Sequence, residues 1–251
     1  MLGSFLAAIA IGSASRNLNR TTVGLAGALA LSAFGLLAAP LAAAAAPIAC
    51  ATPDLITAIS TANSQAGGGT VTLASGCVYT LTAADNSTDG GGGTGLPVIT
   101  GTVTIAGSGA TITRSTAAGT PTFRIFDVAG SGNLSLDSLT VSNGLLNNTG
   151  STGGAGIYNH GTLSISGSGF TGNSSPSPNG VSGGGISNTG QLTVTTSTFT
   201  NNSAQEGGAV FNQNSATITN TTFNNNVGTI YGGGAILNAF GTTNVSSSTF
   251  V

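Results

Sequence analysis

Apolar and small polar residues alternate with period two through the second half of the chain. In Thr162-Leu163-Ser164-Ile165-Ser166 and Gln191-Leu192-Thr193-Val194-Thr195 the aliphatic residues fall on one face and the hydroxyls on the other. That spacing predicts short strands with an apolar inner face and a hydrated outer one. Upstream, strand-like runs occupy 70–73, 78–81, 98–105, 111–113, 123–128 and 134–141, separated by Gly, Asn and Ser clusters. One segment reads differently. From 52 to about 63, Leu55, Ile56, Ala58, Ile59 and Ala62 make a helical stripe, with Thr52 placed to cap and Pro53 in the first turn. Asp54 suits the positive end of the helix dipole, and Gly67-Gly68-Gly69 ends the segment. A lone amphipathic helix ahead of many strands predicts a cap over the open end of a stack.

A longer period lies over the alternation. Gly154-Ala155-Gly156-Ile157-Tyr158-Asn159 returns as Gly183-Gly184-Gly185-Ile186-Ser187-Asn188, as Gly207-Gly208-Ala209-Val210-Phe211-Asn212 and as Gly233-Gly234-Ala235-Ile236-Leu237-Asn238. The closing asparagines are 29, 24 and 26 residues apart. Each phrase is followed by an alternating run ending at Phe170, Phe199, Phe223 or Phe250, and the first three phenylalanines by Asn173, Asn202 and Asn226 three places on. A period in the twenties predicts a solenoid. Three short strands per unit, stacked at about 4.8 Å, make a parallel β-helix of roughly seven coils. Asn159, Asn188, Asn212 and Asn238 would form one ladder and Asn173, Asn202 and Asn226 another, each amide bonding to its neighbour one coil away in a left-handed turn. The phenylalanines would stack inside, and the glycines would turn corners where a Cβ clashes.

Composition adds that the chain is almost uncharged: 4% of its 251 residues are charged and 41 are glycine, where roughly a quarter charged is usual. It has neither the low hydrophobicity nor the high net charge of a disordered chain. Residues 1–46 read as an export signal: Arg16 and Arg20 form a positive region, and the uncharged run 23–46 ends in Ala43-Ala44-Ala45, which fits cleavage near Ala45. An uncleaved anchor is the alternative for a run of that length. The apolar stretch ahead of Arg16 points to a translation start later than Met1. Without the leader, Arg114 and Arg124 stand against Asp54, Asp85, Asp89, Asp127, Asp137 and Glu206, and there is no lysine. With no basic patch, nucleic acid and anionic lipid are not expected partners. Cys50 and Cys77 both follow the leader, and outside the cytosol they can pair, a link worth roughly 3–4 kcal/mol in the chain-entropy model. Two free thiols are the alternative.

Gly207-Gly208-Ala209-Val210 and Gly233-Gly234-Ala235-Ile236, with Phe170-Thr171-Gly172-Asn173, Phe199-Thr200-Asn201-Asn202 and Phe223-Asn224-Asn225-Asn226, resemble the GGA[ILV] and FxxN repeats of the polymorphic outer-membrane protein family. Secreted bacterial right-handed parallel β-helix repeat proteins look similar, their helix-and-cysteine start included. The resemblance covers about residues 150–251, and more loosely the chain from Cys50. It implies an all-β, right-handed parallel β-helix (a pectate-lyase-like solenoid) over 70–251, with GGAI/FxxN repeats from about 153 and an α-helical cap over 47–69. It also implies a passenger displayed at the cell surface, often adhesive, ahead of a C-terminal β-barrel. In this sequence neither a barrel after the repeats nor membrane insertion of the mature chain is expected. The fourth unit stops one residue past Phe250, so the chain is expected to be a fragment of a longer protein, or to fray or self-associate end to end.

Parallel β-helices include pectate lyases and polygalacturonases, so an enzyme is the rival reading. Asp127 and Asp137, brought together by adjacent coils with Arg124 nearby, are the candidate catalytic set, since glycoside hydrolysis needs two carboxylates at a defined separation. A surface salt bridge or solvated charges is the plainer reading. Asn159-His160-Gly161 is similar to the His-Gly pair of polygalacturonases but lacks their aspartates. Other repeats put Thr189, Gln213 and Ala239 at the place of His160, which predicts a solvent-facing side chain. Asp85 and Asp89, in the polar loop 82–97, could hold calcium, though a flexible insertion explains them as well. No partnered Ser-His-Asp set appears, one histidine and two cysteines are too few for zinc, and no cofactor is expected. The expectation is a secreted or cell-surface scaffold, non-catalytic, for adhesion or for binding carbohydrate or protein along its uncharged Thr/Ser/Asn faces. The alternative is a polysaccharide lyase or glycoside hydrolase, or its inactive relic.

Overall fold

The computed structural model of the protein describes residues 46–87, 92–147, 153–176 and 182–251. The leader lies outside them except for Ala46, and so does Asp89. Because apolar residues alternate with hydroxyls, each strand turns one edge of side chains inward, and parallel pairing sets like on like. Strands fall into a 12-stranded, a 5-stranded and a 3-stranded sheet. One coil visits all three: Gln191–Thr195 and Thr198–Thr200 lie in the largest, Ser203–Glu206 in the smallest, Val210–Asn212 in the third, and Ser215–Thr219 returns to the largest beside Gln191–Thr195. The described residues are thus mostly β, a parallel solenoid with one helix, Thr52–Ser64, ahead of the strands. Val71, Ile105, Leu136, Ile165, Val194, Ile218 and Val245 form a single register column, buried in the core as far as Ile218 and exposed at Val245 in the last level. The large sheet is therefore seven levels deep, whereas the other two count five and three, and the described solenoid has about five turns instead of seven.

The helix Thr52–Ser64 buries Leu55, Ile59 and Ala62 in this core. Thr52 does not cap it. The N-cap is Ala51, and the Thr52 hydroxyl instead donates to Thr80 O at 2.9 Å, tying the helix to the first coil. Asn63 accepts at Oδ1 from the Thr100 and Gly101 amides and donates to Val98 O, which fastens the other end. A Cys50–Cys77 disulfide, 27 residues apart, joins the helix to the strand Val78–Leu81. The runs 98–105 and 111–113 merge into one strand, Thr102–Arg114, that bends where Ser108 and Gly109 take φ of 49° and 78°. The run 123–128 contracts to Phe126–Val128.

Stacking governs the interior. Asn159 Nδ2 donates to Asn188 Oδ1, Asn188 to Asn212 and Asn212 to Asn238, at 2.6, 2.7 and 2.8 Å. Asn173, Asn202 and Asn226 repeat the pattern at 3.0 and 2.9 Å. Phe170, Phe199, Phe223 and Phe250 stack nearly parallel, with centroids 4.8, 5.1 and 5.0 Å apart. Left alone, aromatic rings favour offset or edge-on contacts; here the coil spacing imposes the column. The left-handed turn does not fall on the ladder asparagines. It falls one residue earlier, at Gly172, Asn201 and Asn225, so that the ladder residue keeps its amide pointing along the stack. The first glycine of each phrase, Gly154, Gly183, Gly207 and Gly233, also has positive φ, and a Cβ there would run into the carbonyl oxygen three residues on.

A third ladder accompanies these. Ser168, Ser197, Thr221 and Ser248 each donate a hydroxyl hydrogen to the carbonyl two residues back, at 2.7 to 3.0 Å. Leu139 N–H donates to the Ser168 hydroxyl, Ser168 N–H to that of Ser197, and Thr221 N–H to that of Ser248.

The Asn202 side chain makes four ladder bonds: Oδ1 accepts from the Asn173 amide and side chain, and Nδ2 donates to Phe170 O and Asn226 Oδ1. Asn202→Ala leaves buried groups unpaired on both neighbouring coils, and urea unfolding is expected to register a loss on the order of 3 kcal/mol. Burial raises the Tyr79 phenol above its ordinary range. Its folded value then exceeds the unfolded one, so stability is complete below about pH 10 and falls as pH rises through that value toward the folded one. Tyr79→Phe is expected to remove this alkaline loss in a pH series of unfolding curves.

Candidate functional site

The charged candidates lie on the outer face of the 5-stranded sheet. Phe126 and Val128 alternate inward, so Asp127 points out, in register with Tyr158 one coil on and Ser187 after that. Asp127 is nevertheless only 2% exposed and Arg124 wholly buried. Arg124 Nη1 meets Asp127 Oδ2 at 3.2 Å, Nη2 donates to Gly153 O at 3.4 Å, and the guanidinium carbon lies 4.9 Å from the centre of the Tyr158 ring. Burial pulls the Arg124 pKa down while the Asp127 and Tyr158 oxygens hold it up, and a guanidinium keeps its proton in either case.

Tyr158 in turn touches the chain's single histidine, its ring 3.9 Å from that of His160 and edge-on to it. His160 is half-buried, not the solvent-facing side chain its place in the turn predicts. Its Nδ1 lies 3.1 Å from the Thr189 hydroxyl, whose hydrogen is directed at Asn159 O, also at 3.1 Å. These residues border a cleft of about 610 Å³ whose lining includes Val98, Thr100, Asp127, Ala129, His160 and Thr189. Asp127 is the one carboxylate in that lining.

Asp127, Asp137 and Arg124 do not converge. Asp137 belongs to the strand Asn133–Ser142 of the large sheet, exposed, accepting from the Ser138 hydroxyl at 3.0 Å. The physical reason lies in the connection: residues 129–132 carry the chain around a corner, so a ten-residue spacing changes sheet and does not stack. The Arg124–Asp127 link is a buried ion pair within one coil, unlike the surface bridge or solvated charges expected of it. Elsewhere, Asp85 accepts from Asn86 Nδ2 at 3.3 Å in an exposed loop, and Glu206 accepts from the Ser182 hydroxyl at 2.9 Å. Arg114 donates to Thr120 O and Pro121 O, both at 2.8 Å. Tyr158 went unnoticed as a site residue, although it occupies the phrase position filled elsewhere by Ser187, Phe211 and Leu237.

A different surface is built by the outward positions of the large sheet. Thr104, Ser135, Ser164, Thr193 and Thr217 form one column, and Ser166, Thr195, Thr219 and Ser246 the column beside it. Past the bend, Thr111, Thr140, Thr198, Thr222 and Thr249 form another, interrupted at Gly169. Hydroxyls thus repeat about every 4.8 Å between coils and about 6.6 Å along a strand. Among the described outward positions of this sheet, Asp137 is the only charged side chain.

Removing one member of the buried pair strands the other. Arg124→Met or Asp127→Leu alone is expected to cost about 3–5 kcal/mol in urea unfolding, and the double variant to recover most of it.

No family model matches the chain, and no curated protein and no solved structure matches it either.

Proposed function

We propose that the protein is a non-catalytic scaffold that binds uncharged carbohydrate along the hydroxyl columns of its large sheet, exported and displayed at the cell surface as a right-handed parallel β-helix. The observation that carries this reading is the columns themselves: short hydroxyl side chains in register over successive coils, with one carboxylate and no cation at the outward positions. A hydroxyl both donates and accepts, so such a face complements another set of hydroxyls without demanding charge. The export signal over 1–46 and the Cys50–Cys77 disulfide favour an oxidising location. The GGA[ILV] and FxxN motifs resemble those of displayed, adhesive passengers in the polymorphic outer-membrane protein family. Against a lyase or hydrolase stands the commitment of Asp127 to Arg124 within a buried pair, on a different sheet from Asp137.

On an array of neutral and acidic polysaccharides, the purified chain is expected to retain neutral polymers with an affinity little changed by salt, and to release no reducing or unsaturated sugar. Replacing two column hydroxyls, Thr193→Val with Thr217→Val, is expected to weaken binding about thirtyfold, at about 1 kcal/mol for each hydrogen bond. Release of sugars that Asp127→Asn or Asp137→Asn abolishes would overturn the reading, as would the absence of any glycan binding.

A further inference from the structure

The threonine column past the bend of the large sheet has one gap, and the gap is a glycine. Thr111, Thr140, Gly169, Thr198, Thr222 and Thr249 stand in register. Most of the glycines in the repeats are there because a Cβ would strike backbone or because φ is positive; Gly169 meets neither condition. Its φ is not positive, and the nearest atoms to a Cβ built on it are the Thr140 and Thr198 hydroxyls at 3.4 and 3.5 Å and Thr140 Cγ2 at 3.8 Å, ordinary contact distances to side chains. Glycine inside a strand loses stability relative to any residue with a side chain and often marks a place where something else approaches the backbone. Here the missing side chain opens a trough of about 320 Å³ lined by Ser138, Thr140, Gly167, Gly169, Thr196 and Thr198, within the size range of small-ligand sites.

The trough has a defined chemistry. The hydroxyls of Thr140, Thr196 and Thr198 make no hydrogen bond to any described residue, and no cation is among the lining residues. Asp137 borders it: a Cβ on Gly167 would lie 3.4 Å from the Ser138 hydroxyl and 4.0 Å from Asp137 Oδ1. A carboxylate at the rim accepts hydrogen bonds from hydroxyls and repels another carboxylate or a sulfate. Thr196 holds φ of 50°, and it is the one β-branched residue among the described non-glycine residues with positive φ. The left-handed conformation is the regular turn of the coil, shared by the equivalent Ser138, Gly167, Asn220 and Ser247, and at this position it carries a threonine.

We infer that this trough is a subsite for a single sugar unit of a neutral polysaccharide, seated on the Gly169 backbone, flanked by Thr140 and Thr198 and held at its rim by Asp137. The inference rests on the carbohydrate-binding reading above and narrows it to one position and to uncharged sugars.

Calorimetric titration of the full chain with hexasaccharides of glucose and of mannose, with hexagalacturonate as the acidic control, tests it. Wild type is expected to bind a neutral oligomer and not the uronate. Gly169→Thr fills the trough with the residue its neighbours in the column already carry, so its melting temperature should equal or exceed that of wild type while affinity falls at least tenfold. Gly169→Ala, a smaller filling, should give an intermediate loss, and it stands in if the threonine variant does not fold. Asp137→Asn should raise the affinity for hexagalacturonate relative to wild type. Wild-type affinity in a folded Gly169→Thr protein, with the Thr193→Val/Thr217→Val protein weakened, would overturn the trough and leave the broader face intact. Absence of binding to every hexasaccharide by wild type, with neutral polymers also unbound, would overturn both.

Discussion

Parallel pairing at one coil per 4.8 Å is the constraint on which everything else depends. It places residue types above themselves, so that a sequence able to fold this way must tolerate contact of like with like. Amides do so because one side chain carries both donor and acceptor, and the Asn159 and Asn173 ladders turn that into an unbroken run of buried hydrogen bonds. Aliphatic residues and phenylalanine do so by dispersion and burial. Charges do not, because like charges one coil apart repel across a medium less screening than water. The near-absence of Lys, Arg, Asp and Glu is therefore a consequence of the architecture as much as a property of the surface.

Much of this was legible in the chain. Period-two alternation identified the strands, and the recurrence of Asn159 and Phe170 with their equivalents identified which positions stack. What stayed hidden follows from the limits of those two signals. Alternation separates inward from outward side chains but does not say which outward ones are covered, so Asp127 read as solvated although it lies buried against Arg124. Sequence distance does not reveal a corner, so Asp137 read as a partner of Asp127 although a turn moves it to another sheet. The serine and threonine two places before each phenylalanine were present as a pattern, but hydroxyls are abundant here and their ladder does not stand out by composition. The left-handed turn falls on Gly172, Asn201 and Asn225, one place before the ladder asparagines, and asparagine's tolerance of that conformation does not by itself say which of two adjacent asparagines adopts it.

The interior repeats specify a scaffold and leave function to what varies outside it. Two departures from repetition stand out. One is the Arg124–Asp127–Tyr158–His160 chain on the 5-stranded sheet, whose charged groups are spent on each other. The other is the absent side chain at Gly169, which no backbone clash requires and which opens a trough among unbonded hydroxyls. The second sits on the face where the coil repeat already presents hydroxyls at regular intervals; in the first, the buried His160 Nε2 is the atom without a hydrogen-bond partner.

Amide chemical-shift mapping of the isotopically labelled chain during titration with a neutral hexasaccharide tests the central claim most directly. Shifts are expected to concentrate at 138–140, 167–169 and 196–198, three successive coils at the same bend, and to extend along the threonine columns. Shifts centred on Asp127, His160 and Thr189, or no shifts at all, would contradict it.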